Sequence, residues 1–227
     1  MTDIDLSHIS TLDLAKILSQ REDLTIACLN SEGRTNGSEV FTLRKKLGVI
    51  ACSDLVPVFE DDDGTVWGGC ITRGDQGNPF YGKYAYIGGI IGYGKTIDYT
   101  MKYHAKIDTD LTVELPLGWD HPVRMNQYFP ADSHGQTIDD DFLPEWDKHS
   151  VAPLHLAFIT GDASNPKFGN KSGKQEALGF QIFNRYNCPT PSEWAYGQRF
   201  GWMEVLDKAE ELRDLNMLKL PKLPKAA

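Results

Sequence analysis

The stretch 82–111 constrains the fold of this chain more than any other part. It begins with a strand-like segment that runs into the pair Gly88-Gly89, and it continues through a second glycine-rich stretch. It ends in a polar segment of helical character that contains His104 and Asp108. Glycine lets a backbone approach a ligand closely, and side chains one helical turn apart point to one side. This order of elements is typical of a site for a metal ion and a pyrophosphate.

The layout resembles the Nudix box, in which a glycine and a spaced Glu precede a helix that carries Arg-Glu and Glu-Glu pairs. With Gly89 as the box glycine, the spacing matches without a gap, whereas most residue identities differ. Lys95 stands at the first Glu position and His104 at the Glu of the Arg-Glu pair. Asp108 is the position of the Glu pair that keeps a carboxylate, and His104 precedes it by one helical turn.

The resemblance extends over 53–183 and is closest to the GDP-mannose mannosyl hydrolase branch, whose box is similarly reduced. Segment 53–73 resembles that family's first two strands, and Asn78-Pro79 with Gly82 and Tyr84 resembles its Asn-Arg-Pro-x-x-Gly-x-Trp run. His155 begins a segment similar to the strand that follows the box. Residues 175–176 resemble the loop that holds a metal-binding Gln and a catalytic His.

The resemblance implies an α/β Nudix fold, with a mixed β-sheet sandwiched between α-helices and an N-terminal extension. We expect residues 1–50 to form a helix and strand extension packed on the core, 51–215 the Nudix-like domain, and 216–227 a flexible tail. Strand signals cover 152–160 and 177–184, and 192–215 ends in an amphipathic helix. Residues 61–64 predict a hairpin turn rather than a Ca²⁺ site, and 112–153 a long loop over the site.

Carried over position by position, the resemblance implies candidate site residues in three roles. The metal ligands are Gly89 (through its carbonyl), His104, Asp108 and Gln175. The substrate-binding residues are Arg73, Lys95 and Tyr84. The catalytic residues are Arg73, His104 and Glu176. An arginine fork suits phosphate, and a loop carboxylate can act as general base. For Tyr84 two interpretations stay open, core packing and base stacking.

The donor set indicates which ion the site would take. Mg²⁺ or Mn²⁺ is expected for oxygen ligands, and Fe²⁺ or Zn²⁺ if His104 ligates, because imidazole suits these softer ions. The residues His121, His134 and His155 lie in segments that could complete a His/Asp site. The four cysteines form no CxxC pair, so neither a zinc cluster nor a disulfide framework is predicted.

Composition narrows the function classes. A net charge of −9 argues against non-specific nucleic-acid binding, and no apolar run is long enough for a membrane span. The acidic start, Met1-Thr-Asp-Ile-Asp, does not resemble a secretory signal, so we expect a cytoplasmic protein. The extension is a candidate homodimer contact, and the expected partner is a small-molecule diphosphate.

Three functions are compatible with these features. The leading hypothesis is a metal-dependent Nudix-type hydrolase of a nucleoside-diphosphate sugar or related diphosphate. The second is a diverged metalloenzyme that uses His104 and Asp108 for a non-hydrolytic tailoring reaction, such as that of a lyase or isomerase. The third is a catalytically inactive module that binds a nucleotide or a partner.

Overall fold

The computed structural model describes residues 49–74, 80–92, 94–130, 143–145, 149–161, 166–168 and 176–224. In these ranges the chain forms a 9-stranded sheet and two α-helices. The strands are β1 (Ile50–Glu60), β2 (Val66–Arg73), β3 (Tyr84–Ala85), β4 (Ile87–Ile90), β5 (Val113–Glu114), β6 (Arg124–Pro130), β7 (Leu143–Glu145), β8 (Ser150–Ile159) and β9 (Ala177–Asn184). The helices are α1 (Ile97–Thr109) and α2 (Arg199–Asp214), the latter preceded by two 3-10 turns, Pro191–Glu193 and Ala195–Gly197.

Strands β1 and β8 form the centre of a mixed sheet. They pair in parallel, and β1 also pairs antiparallel with β2 and β4. Beyond β8 lie β5 and β6, with β7 parallel to β6, while β2 carries β3 and β9. Central strands are covered on both faces, which explains their nearly continuous burial. The predicted mixed sheet is confirmed.

The turn between β1 and β2 is built around the Asp61 carboxylate. One oxygen accepts the backbone N–H groups of Asp63 and Thr65 at 3.0 and 2.8 Å, and the other accepts Trp67 Nε1 at 2.8 Å. The Trp67 hydrogen bond is the largest factor that holds the pKa of Asp61 below its usual range. Gly64 completes the turn at φ 80°. The predicted hairpin is confirmed, and the Asp61 carboxylate forms these hydrogen bonds within it.

One helix covers each face of the sheet. Alternate residues of β1 point to opposite faces, so the two sides of this strand pack in different cores. The core on the α1 side includes Leu55, Phe59, Ile87, Met101 and Ala105. The core on the α2 side includes Val56, Val58, Leu154, Trp202 and Leu206. The expectation of a sheet sandwiched between α-helices is therefore confirmed.

The expectation of a long loop over 112–153 was wrong for the described residues of this segment, which contribute β5, β6, β7 and the start of β8. Residues 131–142 and 146–148 lie outside the described ranges. In β6 the buried positions are Asn126 and Tyr128, whereas Met125 and Gln127 are exposed. A buried amide beside an exposed methionine conceals the two-residue alternation by which half-buried strands are recognised. The polar character of β6 reflects its buried Asn126 and does not indicate a loop.

The chain continues beyond α2 as part of the folded core. Glu60 N–H donates to the Pro221 carbonyl, and Leu223 N–H donates to the Glu60 carbonyl, both at 2.8 Å. Leu220 is buried between these contacts. Residues 216–224 of the expected flexible tail are thus described, and within them 221–223 pair with the end of β1. The expected N-terminal extension, apart from 49–50, lies outside the described residues. In the described ranges neither α-helix is long and apolar enough to cross a membrane.

Candidate functional site

Helix α1 begins and ends with ordinary capping chemistry. The Thr96 side chain accepts the Tyr99 N–H at 3.1 Å, and Asp98 lies in the first turn, where a carboxylate favours the helix dipole. The helix ends at Asp110, whose φ of 57° is left-handed. Between these ends, His104 and Asp108 share the buried face, since four residues make about one helical turn.

The His104 imidazole lies directly against Gly89 of β4. A Cβ added at Gly89 would be 2.4 Å from His104 Cε1 and 2.5 Å from its Nε2, far inside van der Waals contact. The ring thus occupies the space that any other residue at position 89 would fill. The structure brings together two predicted site residues, and it gives Gly89 a steric role in addition to its expected carbonyl role.

Gly88 has the same kind of role on the other face of the strand. A Cβ there would be 2.2 Å from the Ser53 carbonyl oxygen and 2.4 Å from Asp54 Oδ1. Asp54 is buried, and it accepts a hydrogen bond from the Tyr128 hydroxyl at 3.3 Å. The glycine pair lies within β4, where both neighbours press on the backbone. Close packing from both sides therefore explains the pair, which the sequence suggested was the start of a ligand loop.

His104 and Asp108 lie close together without a hydrogen bond between His104 Nδ1 and Asp108 Oδ2. Their Nδ1 and Oδ2 atoms are 3.7 Å apart, too far for a hydrogen bond, and their side chains are 8% and 3% exposed. His104 Nδ1 has no hydrogen-bond partner, and neither has the buried hydroxyl of Ser53, the cross-strand partner of Gly89. Unpartnered buried polar atoms are uncommon and call for an explanation such as a bound ion.

His104 and Asp108 are residue types that could hold one divalent cation. In the described part of the chain, no group of three His, Cys, Asp or Glu side chains comes together to hold a metal. One or two protein side chains suffice, however, where substrate phosphates and water complete the coordination. His104 and Asp108 provide one nitrogen and one oxygen donor on adjacent turns, beside the Gly89 backbone.

The backbones of Arg73 and Glu176 lie close together where β2 ends and β9 begins. Gly74 N–H donates to the Glu176 carbonyl at 2.9 Å, which ties the strand ends of β2 and β9 together. Ala177, the next residue, packs in the same apolar core as Met101 of α1. Two predicted catalytic residues are thereby close in the backbone, next to Ala177, which packs in the core on the α1 side.

Two expected substrate-binding residues have other surroundings. Tyr84 packs edge-on against Phe183, with ring centroids 5.2 Å apart, and near Trp194 at 5.9 Å, in the core on the α2 side. Burial is the main cause that raises the pKa of its hydroxyl. Of the two interpretations left open for Tyr84, core packing is the one observed. Lys95 is exposed after the glycine stretch, with Nζ 4.7 Å from the Tyr99 ring centroid.

The remaining candidate residues are dispersed. Gln175 and His134 lie outside the described residues. His121 is exposed beside Asp120, at 3.9 Å. His155 is buried on β8, and its Nε2 bonds to the Trp119 carbonyl at 2.9 Å, so this histidine anchors a loop. The described histidines other than His104 thus do not join the His104–Asp108 pair.

Sequence reasoning missed Tyr196 as a neighbour of the site. Its ring lies 5.4 Å from the Arg73 guanidinium carbon and 4.1 Å from the Phe80 ring. Tyr196 also has a left-handed backbone, with φ 54°. The segment around it contains Pro, Trp and Gly and resembles an ordinary connection, so no local signal pointed to it.

Comparison with known proteins identifies the architecture. No family model matches the chain, and no curated protein matches it. Among solved structures, a possible asymmetric diadenosine tetraphosphate (Ap4A) hydrolase from Jonesia denitrificans has a TM-score of 0.50 and 19% identity, covering 77% of this chain and 99% of its own. An Ap4A hydrolase from C. elegans has a TM-score of 0.49, 10% identity and coverage of 73% and 98%. A NUDIX hydrolase from Nitrosomonas europaea has a TM-score of 0.46, 15% identity and coverage of 78% and 76%. The chain has the Nudix fold.

Proposed function

We propose that this protein is a metal-dependent Nudix-type hydrolase of a small-molecule diphosphate, with a nucleoside-diphosphate sugar as the expected substrate class. The observation that carries the proposal is the buried pair His104 and Asp108 on one face of α1, with the imidazole seated on Gly89. Fold alone does not determine activity, so the argument depends on this pair.

Each residue then has a stated task. His104 Nδ1 and an Asp108 oxygen would hold the cation, with the Gly89 carbonyl as a further donor and Gln175 as an expected one. A bound divalent cation supplies charge neutralisation for the phosphate oxygens and makes a coordinated water more acidic. We infer Mg²⁺ or Mn²⁺ as the working ion, and Fe²⁺ or Zn²⁺ if the imidazole dominates the choice.

The substrate and the attacking water are assigned to three other residues, Arg73, Glu176 and Lys95. Arg73 pairs with phosphate oxygens through its planar fork, and Glu176 accepts the proton of the attacking water. Lys95, exposed beside the glycine stretch, adds positive charge at the entrance. When water attacks phosphorus, the leaving group is a phosphate monoester, either the nucleoside monophosphate or the sugar phosphate. When water attacks the sugar carbon, the leaving group is the nucleoside diphosphate.

A ³¹P NMR assay with Mg²⁺ or Mn²⁺ tests the proposal, using GDP-, UDP- and ADP-sugars and Ap4A. With the nucleoside-diphosphate sugars, release of nucleoside diphosphate and free sugar would indicate attack at the sugar carbon, and release of nucleoside monophosphate and sugar phosphate would indicate attack at phosphorus. Products of Ap4A would report attack at phosphorus. Asp108→Asn keeps the side-chain shape and should abolish turnover. Asp98→Asn is the matched control, because Asp98 is an exposed carboxylate of the same helix that pairs with Lys102 at 2.9 Å. Turnover that survives in Asp108→Asn would refute the assignment.

A second candidate follows from the histidine itself. An imidazole at a position where this fold family carries a carboxylate favours softer ions, and the described part of α1 offers Asp108 as the one buried carboxylate. A non-hydrolytic metalloenzyme would bind Fe²⁺ or Zn²⁺ tightly and leave every diphosphate of the panel intact. Metal analysis of the purified protein and of His104→Ala separates this candidate from the hydrolase. Absence of both metal and turnover would favour a binding module.

A further inference from the structure

The backbone of Arg73 is fixed where β2 leaves the sheet. The pairing of β2 with β9 shifts register between Thr72 and Arg73, and such a bulge re-aims the side chain that follows it. Arg73 N–H donates to the Lys83 carbonyl, and Gly82 N–H donates to the Arg73 carbonyl, both at 2.9 Å. The side chain therefore starts from a defined position.

The Arg73 side chain has an aromatic contact but lacks a full set of acceptors. Its guanidinium carbon lies 5.4 Å from the Tyr196 ring centroid, which is within cation–π range. Its Nε atom is buried without a hydrogen-bond partner. A buried N–H without an acceptor is unfavourable, and a phosphate oxygen would satisfy it.

Tyr196 holds a backbone conformation that tyrosine rarely adopts. Its φ and ψ are 54° and 18°, in the left-handed region, and Gly197 follows at φ 68°. A turn that needed only this backbone would be better served by glycine or asparagine. A strained residue of this kind persists only where its surroundings hold it, which points to a use for the ring.

Packing fixes the Tyr196 ring on several sides. The Phe80 ring is 4.1 Å away at 45°, and the Tyr128 ring is 5.8 Å away in an edge-on arrangement. With Arg73 on a further side, the ring has little freedom to turn. The result is a rigid platform beside a cation whose Nε lacks an acceptor.

We propose that Tyr196 is a positioning residue that holds the Arg73 guanidinium ready for a phosphate group of the substrate. The inference rests on the proposed function, in which Arg73 binds phosphate. The ring covers part of the guanidinium and leaves its N–H groups for oxygen. Tyr196 acts through Arg73 and does not itself contact the reacting atoms.

Calorimetric titration with inorganic pyrophosphate at fixed Mg²⁺ concentration tests this inference. Tyr196→Phe keeps the ring and should leave the Kd within about twofold of wild type. Tyr196→Asn tolerates the left-handed backbone but removes the packed ring; it should lower the Tm, stay folded by circular dichroism at the assay temperature, and weaken binding about tenfold. This pair of variants separates loss of the platform from loss of folding.

A double-mutant cycle identifies the route of the effect. If Tyr196 acts through Arg73, the variant Arg73→Ala/Tyr196→Asn binds pyrophosphate as weakly as Arg73→Ala alone. Additive losses, wild-type affinity in Tyr196→Asn, or no pyrophosphate binding by the wild-type chain would each overturn the inference. Binding that depends on both residues, together with no turnover in the ³¹P assay, would refute the hydrolase and leave this inference standing.

Discussion

The substitution Gly89→Ala gives a quantitative test of the contact between β4 and α1. The new Cβ would lie 2.4 Å from His104 Cε1 and 2.5 Å from Nε2, whereas carbon atoms in contact are about 3.5–4.0 Å apart. The ring must therefore move by about 1 Å or more, away from the strand. Overpacking of this kind costs about 1–3 kcal/mol of unfolding free energy. Because the displaced ring is also a proposed metal ligand, we expect metal affinity to fall at least about tenfold.

Urea unfolding and Mn²⁺ titration measure the two effects separately. Gly161→Ala is a suitable control, since a Cβ there would meet nothing within 4 Å. In the variant Gly89→Ala/His104→Ala the clash is absent. Its loss of unfolding free energy should therefore be smaller than the sum of the losses in the two single variants, while metal binding is not restored. The reasoning would be refuted if Gly89→Ala were as stable as wild type to within about 0.5 kcal/mol, or if the cycle were additive.

Three further predictions concern the rest of the fold. Burial holds the pKa of the Tyr86 hydroxyl well above its usual value. The contribution of Tyr86 to the free energy of unfolding is therefore complete below about pH 10 and is lost as the pH rises further. In denaturant titrations, Tyr86→Phe should lack this part of the stability loss at alkaline pH. The pKa of Asp61 is lowered in the folded protein. Its contribution to the free energy of unfolding is therefore present above about pH 4 and disappears on acidification. The stability difference between wild type and Asp61→Asn should shrink as the pH is lowered, and a constant difference would contradict the turn assignment. Leu206 of α2 is buried in the core on the α2 side, and Leu206→Ala should lower the unfolding free energy by about 2–5 kcal/mol in urea; a loss below about 1 kcal/mol would show that this core repacks.

The site assignment depends on a small number of contacts, and each is accessible to a separate assay. The His104–Asp108 pair predicts metal binding, the Gly89 contact predicts a coupled loss of stability and metal, and the Arg73–Tyr196 contact predicts pyrophosphate affinity. If the protein keeps the Nudix fold but binds no metal, the first prediction fails and so does the metal part of the second. The stability loss of Gly89→Ala and the pyrophosphate affinity are still tested. The assays therefore test the parts of the site independently.

Local patterns in the sequence were sufficient for the elements whose residues specify them directly. The hairpin turn at 61–64, helix α1, strands β8 and β9 and the last helix were all predicted, because turn residues, apolar alternation and helical periodicity act over a few neighbouring positions. The order of a strand signal, the pair Gly88-Gly89 and a helix with His104 was also predicted, although the pair lies within β4 and does not begin a loop. Strand β6 was missed because Asn126 occupies a buried position that such patterns assign to apolar residues.

Tertiary structure alone decided what those residues contact. Gly89 is explained by the ring of His104 and Gly88 by Asp54, on opposite faces of one strand. Tyr84 belongs to the core on the α2 side, since its direction depends on the pairing of β3 with β2. Tyr196 reaches Arg73 from a distant part of the chain. Side-chain periodicity is a local property of the backbone, whereas these neighbours are set by strand pairing and chain return, which involve residues far apart in sequence.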